Sequence, residues 1–232
     1  MITFGKHIEI QKLLEAGGDI KFMFDQLNDI DVILFAQDLE DAYPLQDNMR
    51  KPTFDNTLYY AVEDLVFGQF IMIEQILTGK AGLNNHQMDL ELAKLLIRPK
   101  SDGIFDNEDG QKEIDNEAAI LSYDAREVYY VIDRFVRRRN KTLFQDYSGV
   151  FYDPKKAEEE EDADDDDGQI NFHQQWYYYS LVRMLAKEDV TKYDEIYMLP
   201  MKTVLPELSY LSQKAKIERA EQRKQEALSK MR

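Results

Sequence analysis

Residues 62–77, VEDLVFGQFIMIEQIL, decide the fold. Val62, Leu65, Val66, Phe70, Ile73, Ile76 and Leu77 recur at the three-and-four spacing that stacks side chains on one face of an α-helix. Phe67, Ile71 and Met72 widen the stripe until most of the circumference is apolar, which places this helix at the centre of a core. Thr78-Gly79 closes it, because glycine takes the left-handed conformation that ends helices.

Working outward, Asn84 or Asn85 caps a helix running through Leu90, Ala93, Leu96 and Ile97, which must end before Pro99. Residues 100–118 read as a polar loop. Val128, Ile132, Phe135 and Val136 then form the stripe of a long helix from about Asp124 to Phe144. Toward the N-terminus, FGKHIEIQKLLEAGG at 4–18 echoes FGQFIMIEQILTGKA at 67–81, sharing Phe-Gly, two isoleucines and a leucine. An internal duplication and two ordinary core helices both account for that echo. Between them, residues 19–44 read as two short helices, although VILF at 32–35 also fits a strand. Strand signals are otherwise sparse, and the expected fold class is all-α.

The net charge of −16 is unevenly spread. Residues 153–170 hold ten acids against Lys155 and Lys156, a local −8. Such a run repels itself and buries nothing, so it reads as a solvated linker between a helical domain at 1–152 and a C-terminal helical module at 171–232. A calcium loop starting at Asp162 fails the required spacing, because position six is Asp167 where glycine is needed and position twelve is His173 where glutamate is needed. DNEDG at 106–110 fails as well, its glycine arriving one place early.

The C-terminal module opens with HQQWYYYSLVRMLAKED at 173–189, which holds the single tryptophan. As a helix it sets Tyr178, Leu181, Val182 and Leu185 on one stripe, with Leu181 and Leu185 inward. Trp176, Tyr177, Tyr179 and Met184 extend the apolar surface round the sides. Tyrosine and tryptophan suit contacts in which one edge stays wet, so part of this surface is expected to face a partner. Thr191 with Asp194 marks a short capped helix that Pro200 punctuates. Val204, Leu205, Leu208, Leu211 and Ala215 form the stripe of the last helix, beyond which the tail is charged all round, with pairs such as Glu226 and Lys230.

Catalytic patterns are absent. The chain has no cysteine, so disulfides, thiolate metal sites and cysteine nucleophiles are excluded, and a reducing compartment such as the cytoplasm is expected. His7, His86 and His173 lie far apart and read as surface or helix-end residues, so no metal or cofactor is expected. No phosphate-cradling glycine loop and no nucleophile elbow occurs. No apolar stretch reaches the roughly 18 residues that span a membrane. The one basic cluster, Arg134, Arg137, Arg138, Arg139 and Lys141, covers about half a helix circumference. It suits phosphate contact, yet the global charge and the lack of interleaved aromatics disfavour nucleic acid.

The order of these parts resembles a known class. A helical region with FGQFIMIEQIL, an acidic hinge, and then WYYYSLVRMLAKEDVTKYDEIYMLPMKTVLPELSYLSQKAKIE are similar to morphogenesis proteins of tailed bacteriophages, in particular tail assembly chaperones and baseplate or virion accessory proteins. The resemblance covers about the last sixty residues and, more loosely, 60–97. It implies a non-enzymatic protein in the host cytoplasm that meets structural phage proteins through apolar helix faces. Trp176, Tyr177, Tyr179, Met184, Leu205, Leu208 and Leu211 are the expected contact residues. A permanent virion component and a nucleic-acid-associated regulator acting through Arg134–Lys141 are the competing expectations.

Overall fold

The computed structural model describes residues 3–15, 51–100, 110–151 and 167–230. Among the described residues eight α-helices carry the architecture: α1 Phe4–Glu15, α2 Phe67–Leu77, α3 Asn85–Leu96, α4 Gly110–Ser122, α5 Ala125–Lys141, α6 Asp167–Leu185, α7 Tyr193–Tyr197 and α8 Met201–Lys230. Among the described residues the only sheet pairs β1, Thr57–Leu58, with β2, Ile97–Arg98, antiparallel. The protein is all-α, as the periodicity of residues 62–77 requires. The short helices expected within 19–44, and the acidic tract up to residue 166, lie outside the described residues.

The chain forms two compact units. The first comprises Met1–Ala61 and Met72–Arg137, the second Val62–Ile71 and Arg138–Arg232. Sequence reading cut the chain at 152. Here residues 62–71 and 138–151 group with the C-terminal helices, because Phe70 and Phe151 supply rings to the second unit's core. The helix beginning at Asp167 also claims residues 167–170, which were read as linker.

In the first unit, α1, α3, α4 and α5 bury Phe4, Ile8, Leu92, Leu96, Ile120, Val128, Val131 and Phe135. Gly5 permits a close approach: a Cβ there would lie 2.9 Å from the Leu121 carbonyl oxygen. Neighbouring Phe4 N–H donates to Tyr123 O at 2.8 Å. Asn84 begins α3, its N–H donating to Gln87 Oε1 at 3.0 Å. Before it, Gly79 ends α2 with φ +71°. Ile97, expected at the end of α3, instead pairs with Leu58 in the small sheet.

Helix α4 corrects the expected loop at 100–118. Its inner face includes Asn116, buried and donating to Ile97 O at 3.2 Å, so the stripe was not recognisable as apolar. Glu117 completes the tie, bridging Lys94 at 3.2 Å.

In the second unit, Val62, Leu65, Phe67, Phe70, Leu143, Phe151, Leu181, Val182, Met201, Val204, Leu205 and Leu208 form the core. Phe67 N–H donates to Leu199 O, and Met201 N–H to Leu65 O, each at 2.8 Å, pinning the start of α8 beside residues 65–67. Gly68 lies close to Tyr197, whose carbonyl oxygen would be 3.3 Å from a Cβ at that position. After α5 the chain continues as one π-helical turn, Thr142–Asp146. The expected Thr191 cap is replaced by Asp189, whose Oδ1 accepts Thr191 N–H at 3.1 Å and the Thr191 hydroxyl at 2.6 Å.

Candidate functional site

Helix α6 is rotated so that Leu181, Val182 and Ala186 are buried, with Leu185 only partly so. Positions three, seven and eight beyond Trp176 therefore face outward with it, giving a surface of Trp176, Tyr179, Arg183 and Met184. Trp176 is 42% exposed, Tyr179 43% and Met184 47%. The rings are ordered into a strip: Trp176 meets Tyr179 edge to face at 5.6 Å, and Tyr179 meets Tyr193 of α7 at 5.9 Å. Hydrogen bonding to Tyr179 raises the Tyr193 hydroxyl pKa, and burial raises that of Tyr197. Met198 adds a flexible thioether to the same unit's surface.

The other expected contact residues divide. Tyr177 is half-buried, its hydroxyl donating to Val150 O at 2.7 Å. Leu205 and Leu208 are buried in the second unit, holding α8 in place, and so are corrected from partner contacts to core. Leu211 is half-buried. Sequence alone did not fix the rotation of these helices, because α6 and α8 both carry more apolar residues than one face holds.

The basic cluster lies on α5, with the boundary between units falling after Arg137. In the first unit, the Arg134 guanidinium sits 5.3 Å from the centre of the Tyr60 ring and donates to the Tyr130 hydroxyl at 2.7 Å. Arg137 bridges Asp133 at 2.8 Å. In the second unit, Arg139 lies over the Phe144 ring at 5.0 Å, while Arg138 and Lys141 are exposed.

Sequence reasoning missed a polar cluster in the first unit. The Tyr129 hydroxyl donates to Asp89 Oδ2 at 2.6 Å, and Gln11 Nε2 donates to the same oxygen at 3.2 Å. One turn on, Glu15 Oε1 accepts His86 N–H at 3.2 Å and its Oε2 lies 2.6 Å from His86 Nδ1. His7 rests edge-on against the Tyr129 ring at 5.0 Å, and burial pushes its pKa down to about 4. Burial likewise raises the Asp89 carboxyl, against the pull of its hydrogen bonds. His86, second residue of α3, is a buried helix-end residue and His7 is half-buried on α1, so neither lies open on the surface. Their signal was the four-residue spacing of His7, Gln11 and Glu15, which sets them in one polar line along α1. The cluster links α1, α3 and α5. Among the described residues no group of three His, Asp or Glu side chains has metal-binding geometry.

No protein-family model, curated protein or solved structure matches this chain. No helix among the described residues is long and apolar enough to cross a membrane.

Proposed function

We propose that this chain is a non-enzymatic protein-binding factor in the assembly of tailed-phage virions, with the α6–α7 face docking or sheltering an apolar segment of a structural partner. One observation carries the reading. Helix α6 and the end of α7 leave Trp176, Tyr179, Met184 and Met198 exposed within the second unit. Clustered aromatic and thioether surface beside charged groups is the composition of a protein-binding patch. The resemblance in layout supplies the viral setting and the host cytoplasm as the place of action. In this reading the acidic tract keeps the complex soluble.

A permanent virion component would use the same face; stoichiometric recovery in purified particles favours that alternative, and absence from them favours a released factor. The nucleic-acid reading is weaker, because Arg134, Arg137 and Arg139 engage aromatic and acidic neighbours within the chain. The test is affinity capture with mass spectrometry during virion assembly, comparing the full chain with Trp176→Ser/Tyr179→Ser. Recovery of a virion structural protein by the full chain, and its loss with the variant, supports the proposal. Equal recovery by both moves the binding site elsewhere.

A further inference from the structure

Helix α8 carries a second exposed face that the aromatic strip does not use. It turns Met201, Val204, Leu205 and Leu208 into the second unit. On its opposite side Tyr210, Ile217 and Lys224 follow at intervals of seven residues, with Gln213 and Ala220 three after the first two. Those are the two seam positions of a heptad repeat. Tyr210 and Ile217 are each 60% exposed, and Gln213, Ala220 and Lys224 are exposed as well. One flank, the residue preceding each of Ile217 and Lys224, is basic, Lys216 and Arg223, while the other, following Gln213 and Ala220, carries Lys214 and Glu221. In a chain of net charge −16 this basic edge stands out from its background.

These features select the occupant. A second copy aligned in parallel would set Lys224 against Lys224 within the seam and match only Lys216 with Glu221 across its flanks, and an antiparallel copy would set the two basic edges against each other. The chain's own acidic run, EEEEDADDDD, matches the charge but offers only Ala163 to cover Tyr210 and Ile217. An amphipathic helix with an apolar seam and an acidic edge facing Lys216 and Arg223 meets both the apolar and the charge requirement. Its apolar side chains cover Tyr210 and Ile217, Ala220 admits close backbone approach, and its carboxylates neutralise Lys216, Arg223 and Lys224.

We infer that the outer face of α8 from Tyr210 to Lys224 docks an acidic amphipathic helix of another protein. This surface is separate from the α6–α7 strip and is tested separately.

The probe is a labelled synthetic helix of about three heptads, with leucine in the seam and glutamate on both flanks, titrated against the full chain by fluorescence anisotropy. A counterpart with lysine flanks serves as the control. The glutamate peptide binds, weakens by about tenfold or more on raising salt, and loses a similar factor with Ile217→Ser or with Lys216→Glu/Arg223→Glu. The lysine peptide does not bind. Both variants alter exposed side chains, and unchanged circular dichroism verifies their folding. Absence of glutamate-peptide binding, or equal affinity in the variants, overturns the inference. It is also overturned if the chain alone sediments as a dimer that Ile217→Ser dissociates, since a second copy then occupies the face.

Discussion

The Tyr129 hydroxyl and the Asp89 carboxylate are joined at 2.6 Å within the first unit, and the bond ties α5 to α3. Gln11 of α1 reaches the same carboxylate, so one half-buried acid is shared by three helices. Tyr129→Phe removes its shortest hydrogen bond while leaving the carboxylate half-buried. The expected cost is on the order of 1–3 kcal/mol, read as a lower midpoint in urea unfolding with an unchanged slope.

His7 makes stability depend on pH. Its folded pKa of about 4 lies below the ordinary 6.5, so the unfolded chain takes up the proton first as pH falls. The contribution is therefore complete above about pH 6.5 and is lost progressively between 6.5 and 4, amounting to roughly 3 kcal/mol. Asp89, shifted upward, opposes this, since its folded carboxyl is the more readily protonated. The difference between wild type and His7→Leu isolates the histidine. Unfolding midpoints of the variant should fall less steeply across that window.

Lys187 and Glu188 hold positive φ, 53° and 67°, at the end of α6. Lys187 N–H donates to Met184 O and Glu188 N–H to Arg183 O, which makes Lys187 the left-handed residue of a helix-terminating turn where glycine is normally preferred. Lys187→Gly relieves the steric cost of the left-handed backbone, less the entropy that glycine loses on folding. A net gain of about 1 kcal/mol is expected, seen as a rise of a few degrees in Tm.

Gly5→Ala tests the approach of α1 to the end of α4. A Cβ 2.9 Å from the Leu121 carbonyl oxygen meets backbone, which cannot rotate away as a side chain would. A loss of about 1–3 kcal/mol is expected in denaturant unfolding, in contrast to the gain that alanine normally brings inside a helix.

The helices legible in the sequence were those with continuous apolar periodicity. Residues 67–77 and 125–141 are helical within the spans expected at 62–77 and 124–144, but 62–64 form a 3-10 turn, Val66 bridges Pro200 and 142–146 make a π-helical turn. Helix α4 was illegible because Asn116 occupies an inner position, satisfied by the Ile97 carbonyl, a partner that sequence spacing does not reveal. The aromatic strip was legible in composition: Trp176, Tyr179 and Met184 are exposed as expected. Its limits were not, since Leu205 and Leu208 lie in the core and Tyr177 turns toward Val150. Which side of an over-apolar helix faces inward depends on its neighbours. Here those neighbours, Phe70 and Phe151, come from segments distant in sequence, so no local pattern announces them. The cluster of His7, Asp89 and Tyr129 was hidden for the same reason.

Trp176 offers the most direct test of the central claim. A photo-crosslinking residue placed at Trp176, with Lys80 on the exposed turn of the first unit as the control position, would be activated in cells during virion assembly and its adducts identified by mass spectrometry. The account predicts a dominant adduct between position 176 and a virion structural protein, with none at position 80. No protein adduct at position 176, or the same adducts at both positions, would contradict it.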